Sequence, residues 1–123
     1  MKQILVVDDS PTMRRMVKAS LGDLPGVTFV EAASGLEAIE QLALGPIGMI
    51  VLDLNMPDMH GIEVLRFVRK HQAYRTIPVI VLTTRGDENS RVSALEAGAT
   101  LYLTKPFAPR TLAAHVNDLL AAK

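Results

Sequence analysis

Three aspartates stand directly behind apolar runs. Asp8 and Asp9 follow Ile4-Leu5-Val6-Val7, and Asp53 follows Met49-Ile50-Val51-Leu52. A single aspartate in such a place is ordinarily a helix cap or a solvated loop residue. Three that converge need another account, because two like charges about 4 Å apart repel by roughly 4 kcal/mol at an effective dielectric of 20. A cation makes the cluster tolerable at neutral pH. Its donors are all oxygens, with neither Cys nor His beside them, which favours Mg²⁺ or Mn²⁺ over Zn²⁺. Thr83 closes a fourth apolar stretch, Val79-Ile80-Val81-Leu82, and offers a hydroxyl. Lys105 lies at the end of a fifth, Leu101-Tyr102-Leu103, and offers an ammonium. Three negative charges are then balanced by a divalent ion and one lysine, and Lys105 reads as a partner for phosphate or carboxylate.

These residues converge only if the elements behind them form one sheet. Continuous β-branched runs suit strands buried on both faces, which describes Ile4–Val7, Met49–Leu52 and Val79–Leu82. Val27–Val30 and Leu101–Leu103 are weaker and read as edges. Helices are expected between the strands. Ser10-Pro11 supplies a cap and a first-turn proline ahead of Met13, Val17 and Leu21. Ser34-Gly35-Leu36-Glu37 reads as a capping box leading to Ile39 and Leu42. Ile62, Leu65 and Val68 mark a third helix, Val92 and Leu95 a fourth, and Leu112, Val116 and Leu119 a fifth that runs to Lys123. Parallel strands need helical crossovers, and right-handed crossovers place helices on both faces. The expectation is an α/β doubly wound five-stranded parallel sheet, order 2-1-3-4-5, in one domain spanning residues 1–123. Ligands collect where such an order reverses, here between strands one and three, beside Asp8, Asp9 and Asp53.

Composition narrows the field. The 123 residues are 49% hydrophobic and 21% charged, which is enough apolar content for a core and argues against disorder. Without cysteine there is no disulfide framework, thiolate metal site or Cys nucleophile. Thirteen basic residues balance thirteen acidic ones, so the broad basic footprint of a nucleic-acid binder is missing. Aromatics are 4% with no Trp, which disfavours base-stacking platforms. The apolar runs are too short for a bilayer, and the N-terminus does not read as a signal peptide. A soluble cytoplasmic domain without membrane insertion is expected.

Asp8-Asp9, Asp53 within Val51-Leu52-Asp53-Leu54-Asn55-Met56-Pro57, Thr83, and Lys105-Pro106-Phe107 together resemble the receiver domain of bacterial response regulators, a flavodoxin-like fold. Ser10-Pro11-Thr12-Met13-Arg14-Arg15-Met16 further resembles the first helix of single-domain chemotaxis regulators, whose receivers are known for strand order 2-1-3-4-5. The resemblance covers the whole chain. It implies that Asp53 takes a phosphoryl group from a phosphohistidine on a sensor histidine kinase. It implies that Asp8, Asp9, Asp53 and the backbone carbonyl of Asn55 hold Mg²⁺, and that Lys105 pairs with a phosphoryl oxygen. Thr83 is then the switch residue that swings toward the new charge, with Tyr102 turning inward behind it. The surface of helix four, strand five and helix five changes as a result, which suits control of a protein partner such as a motility component. A phosphatase is a further implied partner. The chain would be a signalling domain and not an enzyme, catalysing only its own phosphorylation and dephosphorylation. The family also implies a cis bond before Pro106.

This sequence departs from the family at the phosphoryl entrance. Thr84 stands where a small residue is common, and Arg85 where chemotaxis regulators often carry an acid. Arg85 either reaches over the mouth or points into solvent. His60, His71 and His115 lack metal-ligand spacing, two of them fall in expected helices, and all three read as surface residues. Two other readings stand beside the stand-alone receiver. One is the receiver segment of a longer regulator with a DNA-binding or enzymatic output. The other is a small Mg²⁺-dependent phosphohydrolase or a cofactor carrier, which the glycine-free Asp8-Asp9-Ser10-Pro11 turn and the short loops disfavour.

Overall fold

The computed structural model describes residues 2–121, which alternate strand and helix throughout. The order is β1 (Lys2–Val7), α1 (Pro11–Leu21), β2 (Val27–Ala32), α2 (Gly35–Leu44), β3 (Met49–Leu52), α3 (Gly61–Lys70), β4 (Val79–Thr83), α4 (Glu88–Glu96), β5 (Leu101–Thr104) and α5 (Pro109–Ala121). All strand pairs are parallel, and the sheet order is β2-β1-β3-β4-β5, as the sequence implies. The expected end of α5 at Lys123 lies outside the described residues.

The continuous apolar runs are explained by two cores. Successive side chains on a strand point to opposite faces. Leu5, Val7, Ile50, Leu52, Val79 and Val81 accordingly pack on one side with Ala38 and Leu42 of α2 and with Val64, Leu65 and Val68 of α3. Ile4, Val6, Met49, Val51, Ile80 and Leu82 pack on the other with Val17 and Leu21 of α1 and with Leu112 and Val116 of α5. The edge strands β2 and β5 are half-exposed along most of their length.

Helix starts follow the local chemistry with two adjustments. The Ser10 hydroxyl accepts from the Met13 N–H at 3.2 Å, with Pro11 opening α1. Ser34 accepts from the Glu37 N–H at 3.1 Å, but the Glu37 carboxylate reaches back to the N–H of Ala33, one residue ahead of the cap. On α4 the expected core residues are displaced. Ala94 is buried, whereas Val92 and Leu95 are 39% and 37% exposed. One residue turns a helix by about 100°, so when the small Ala94 faces the sheet Leu95 falls to one flank and Val92, two residues back, to the far side.

Two of the histidines flank α3 and do not lie inside helices. The His60 Nδ1 accepts from Ile62 N–H at the helix start. The His71 Nδ1 accepts from Ala73 N–H beyond its end, and the His71 ring stacks on Tyr74 at 4.2 Å. His115 sits on α5, half-buried.

Near the amino ends of β4 and β5, Arg69 ties three segments together. Its Nε donates to the Gly98 carbonyl at 2.9 Å and its Nη1 to the Ile77 carbonyl at 2.6 Å, while Nη2 lies 3.4 Å from the Thr100 hydroxyl. Gly98 has φ +113°, and a Cβ there would stand 2.6 Å from Arg69 Cγ, so both backbone and space require glycine.

Candidate functional site

Sheet register brings the acids together. Val7 pairs with Leu52, so the residues that follow them leave the sheet side by side. The pairing extends one step further, because the Asp53 N–H donates to the Val7 carbonyl at 3.0 Å. One carboxylate oxygen from each of Asp8, Asp9 and Asp53 lies within 4.8 Å of the other two. Asp8 and Asp53 are buried at 4% and 6% exposure, Thr83 is fully buried, and Asp9 faces solvent. On the other flank the Lys105 N–H donates to the Thr83 carbonyl at 2.8 Å, which turns the lysine toward the acids. The Lys105–Pro106 peptide is cis, in line with the resemblance.

Lys105 Nζ lies 2.7 Å from one Asp8 oxygen and 3.6 Å from one Asp53 oxygen. The other Asp8 oxygen accepts from the Ser10 N–H at 2.9 Å, and Asp53 accepts from the Asn55 N–H at 3.3 Å. Burial pushes the Asp53 carboxyl above the ordinary carboxylate value. The Lys105 charge opposes that rise, the Asp8 charge adds to it, and the Asn55 N–H and Thr83 hydroxyl oppose it more weakly. Three carboxylates against one ammonium leave two negative charges uncompensated. An all-oxygen donor set with that deficit, opening to solvent at Asp9, fits a hard divalent cation such as Mg²⁺ or Mn²⁺.

The entrance residues reach across the mouth. Asn55 Nδ2 donates to the Thr84 hydroxyl at 3.4 Å, and Arg85 Nη1 donates to Asn55 Oδ1 at 3.4 Å. Arg85 Nε also lies 3.3 Å from the Ser90 hydroxyl on α4. The Asn55 amide is thus spanned by both residues that depart from the family pattern, and Arg85 does not simply extend into solvent. Tyr102 on β5 is half-buried, and its hydroxyl donates to the Arg85 carbonyl. Burial, reinforced by the Asp87 charge, raises the Tyr102 pKa.

Three residues around the site were not singled out from the sequence for these roles. Gly61 opens α3, where a Cβ would meet the Asp53 carbonyl at 2.5 Å and the Leu54 Cα at 2.7 Å. A poor helix former as the first helical residue was the available signal. Asp58 accepts from the N–H groups of Gly35 and Leu36, both at 3.1 Å, and so ties the loop after β3 to the start of α2. Arg14 of α1 donates from Nη1 to the Asp8 carbonyl at 2.6 Å. Both pairings rest on the folded arrangement and no local pattern marks them.

A doubly wound sheet with clustered acids at its reversal and a lysine on the flank has the outline of a receiver-type signalling domain. Residues 4–117 match the family described as response regulator receiver domain, and the chain belongs to it. Within that family the chain is CheY-like. It is 39% identical over 119 residues to a chemotaxis protein CheY homolog of Campylobacter jejuni, covering 96% of this chain and 92% of the relative. Its fold superposes on chemotaxis response regulator CheY4 of Vibrio cholerae with a TM-score of 0.88 and 35% identity, covering 97% of this chain and 98% of that one. The Mn²⁺-bound form of response regulator Rcp1 superposes with a TM-score of 0.83 and 29% identity over 99% of this chain and 94% of its own.

Proposed function

We propose that Asp53 is the phosphoryl acceptor of a chemotaxis-type receiver that works with Mg²⁺ or Mn²⁺. The observation that carries the reading is the buried Asp53 carboxylate, grouped with Asp8 and Asp9 and 3.6 Å from Lys105. Asp8, Asp9, Asp53 and the Asn55 carbonyl would hold the cation, and the Mn²⁺-bound form of the similar Rcp1 supports a divalent ion as the ligand class. When bound, the divalent ion shields the acceptor from an anionic donor and stabilises charge on the transferring oxygens. An Asp53 oxygen bonds to phosphorus as the P–N bond of a kinase phosphohistidine breaks, and the departing imidazole nitrogen takes a proton. Lys105, already held by Asp8, is within reach of a phosphoryl oxygen. Thr83 stands one strand over to donate its hydroxyl, and Tyr102 carries the change to the α4–β5–α5 surface. The output is contact with a protein partner, such as a motility component, with a phosphatase to end the signal and no direct nucleic-acid contact. A match across 92% of a chemotaxis relative supports the chemotaxis-type reading.

The test uses acetyl phosphate with Mg²⁺. One acid-stable, base-labile phosphoryl group is expected per chain, abolished in Asp53→Asn, and Asp9→Ala is expected to lose both metal response and label. A label mapped to serine, threonine or histidine would overturn the assignment.

A further inference from the structure

Arg14 sits where α1, β2 and the acidic turn meet. Its side chain is only 14% exposed. Nε donates to Glu31 Oε1 at 2.8 Å, and Nη1 donates to the Asp8 carbonyl at 2.6 Å. The other Glu31 oxygen is taken by Lys18 Nζ at 2.6 Å. An exposed pair such as Lys18–Glu31 contributes little to stability. The second bond of Arg14 is of another kind, because it leaves the ion pair and ends on the backbone of the site.

The carbonyl it holds belongs to the peptide that joins Asp8 to Asp9. Asp8 is already fixed on its side-chain end by Lys105 and by the Ser10 N–H. Asp9 is exposed, so the position of its carboxylate depends on the peptide in front of it. A charged donor on that peptide's oxygen sets the peptide plane, and a bond from an ionised donor is short and directional. Glu31 fixes the opposite edge of the same guanidinium, so the clamp is anchored on β2, an element outside the site.

We infer that Arg14, anchored by Glu31, is a positioning residue that presets the Asp8–Asp9 peptide so that both carboxylates converge before a divalent cation arrives. The inference rests on the cation reading above. Preorganised donors lose less ordering freedom on binding, so the clamp contributes to affinity without touching the ion.

Lys18 supplies a charge-matched control. Arg14→Met and Lys18→Met each remove one positive charge from the group around Glu31, but only the first frees the Asp8 carbonyl. Mg²⁺ is titrated into ¹⁵N-labelled protein while the Asp9 and Asn55 amide signals are followed. Arg14→Met is expected to weaken the apparent Mg²⁺ affinity about tenfold and to move the metal-free Asp9 amide signal. Lys18→Met is expected to stay within twofold with that signal in place. Arg14→Lys keeps the charge but cannot bridge both acceptors with one planar fork, and is expected to weaken binding at least threefold. Equal midpoints for Arg14→Met and Lys18→Met would overturn the clamp. If Arg14→Met fails to fold, the same comparison is made with Arg14→Lys, and equality again overturns it. A wild type with no Mg²⁺ response would sink the cation reading instead, and the metal-free Asp9 signal would still report on the clamp.

Discussion

At the residue scale, Thr84 and Arg85 give this receiver its individual character. Asp53 is buried, and on the proposed function a phosphodonor or a hydrolytic water approaches it past the mouth those two residues border. Both hold the Asn55 amide, one as acceptor and one as donor, which draws the loops after β3 and β4 toward each other. Thr84→Ala with Arg85→Glu removes the hydroxyl and turns attraction at Arg85 into an acid near a negative site. We expect the acyl phosphate of the double variant to hydrolyse about tenfold faster than wild type, a barrier change of about 1.4 kcal/mol. Loss of label at fixed Mg²⁺ measures it, and equal decay rates would exclude a role in timing. The sequence was informative here only in part. It exposed the two departures as residue types, but the partner of each lies 29 or 30 positions away in Asn55, a pairing that depends on the register of β3 and β4.

At the element scale, the loop between β3 and α3 is fixed by its neighbours more than by itself. Asp58 fastens it to the first turn of α2, where free N–H groups favour a carboxylate. The Leu36 N–H, with that of Gly35, holds the Asp58 carboxyl below its ordinary value. A lowered folded-state pKa means stability that is present above the ordinary carboxylate range and is lost as pH falls through the lowered value. The gap in Tm between wild type and Asp58→Ala should therefore persist from neutral pH downward and close below about pH 4. Thermal unfolding across that range checks it, and a gap that survives strong acid would exclude the carboxylate as its source. Strands were the most legible elements, because runs such as Met49–Leu52 are apolar on both faces and admit one environment. Helix α4 was less so. Its short apolar content gives no preferred face, and packing of Ala94 on the sheet, which no local pattern encodes, decides its rotation.

At the scale of the whole molecule, the two ends of the sheet divide their tasks. The carboxyl ends gather charge and accept the strain of like charges, while the amino ends are secured by groups such as Arg69. Burial lowers the Arg69 pKa, yet a guanidinium remains protonated, and it stands among neutral carbonyls that it joins to α3. Arg69→Met should cost about 2 kcal/mol, the scale of charged hydrogen bonds lost with their acceptors left behind. It should leave the Mg²⁺ midpoint unchanged, which urea unfolding and metal titration report separately. The double core has a consequence of its own. In a half-exposed sheet a one-residue slip turns apolar side chains into water, and that error is self-correcting. In β1, β3 and β4 a slip exchanges one apolar face for another, so burial alone is nearly blind to it. What is not blind is the far end of each run. Moving β1 or β3 inward by one position draws Asp8 or Asp53 away from Lys105 and into the apolar core. The acids therefore act as stops on the pairing, and the charges proposed to hold a cation and a phosphoryl group are also the marks by which the folding chain measures its strands.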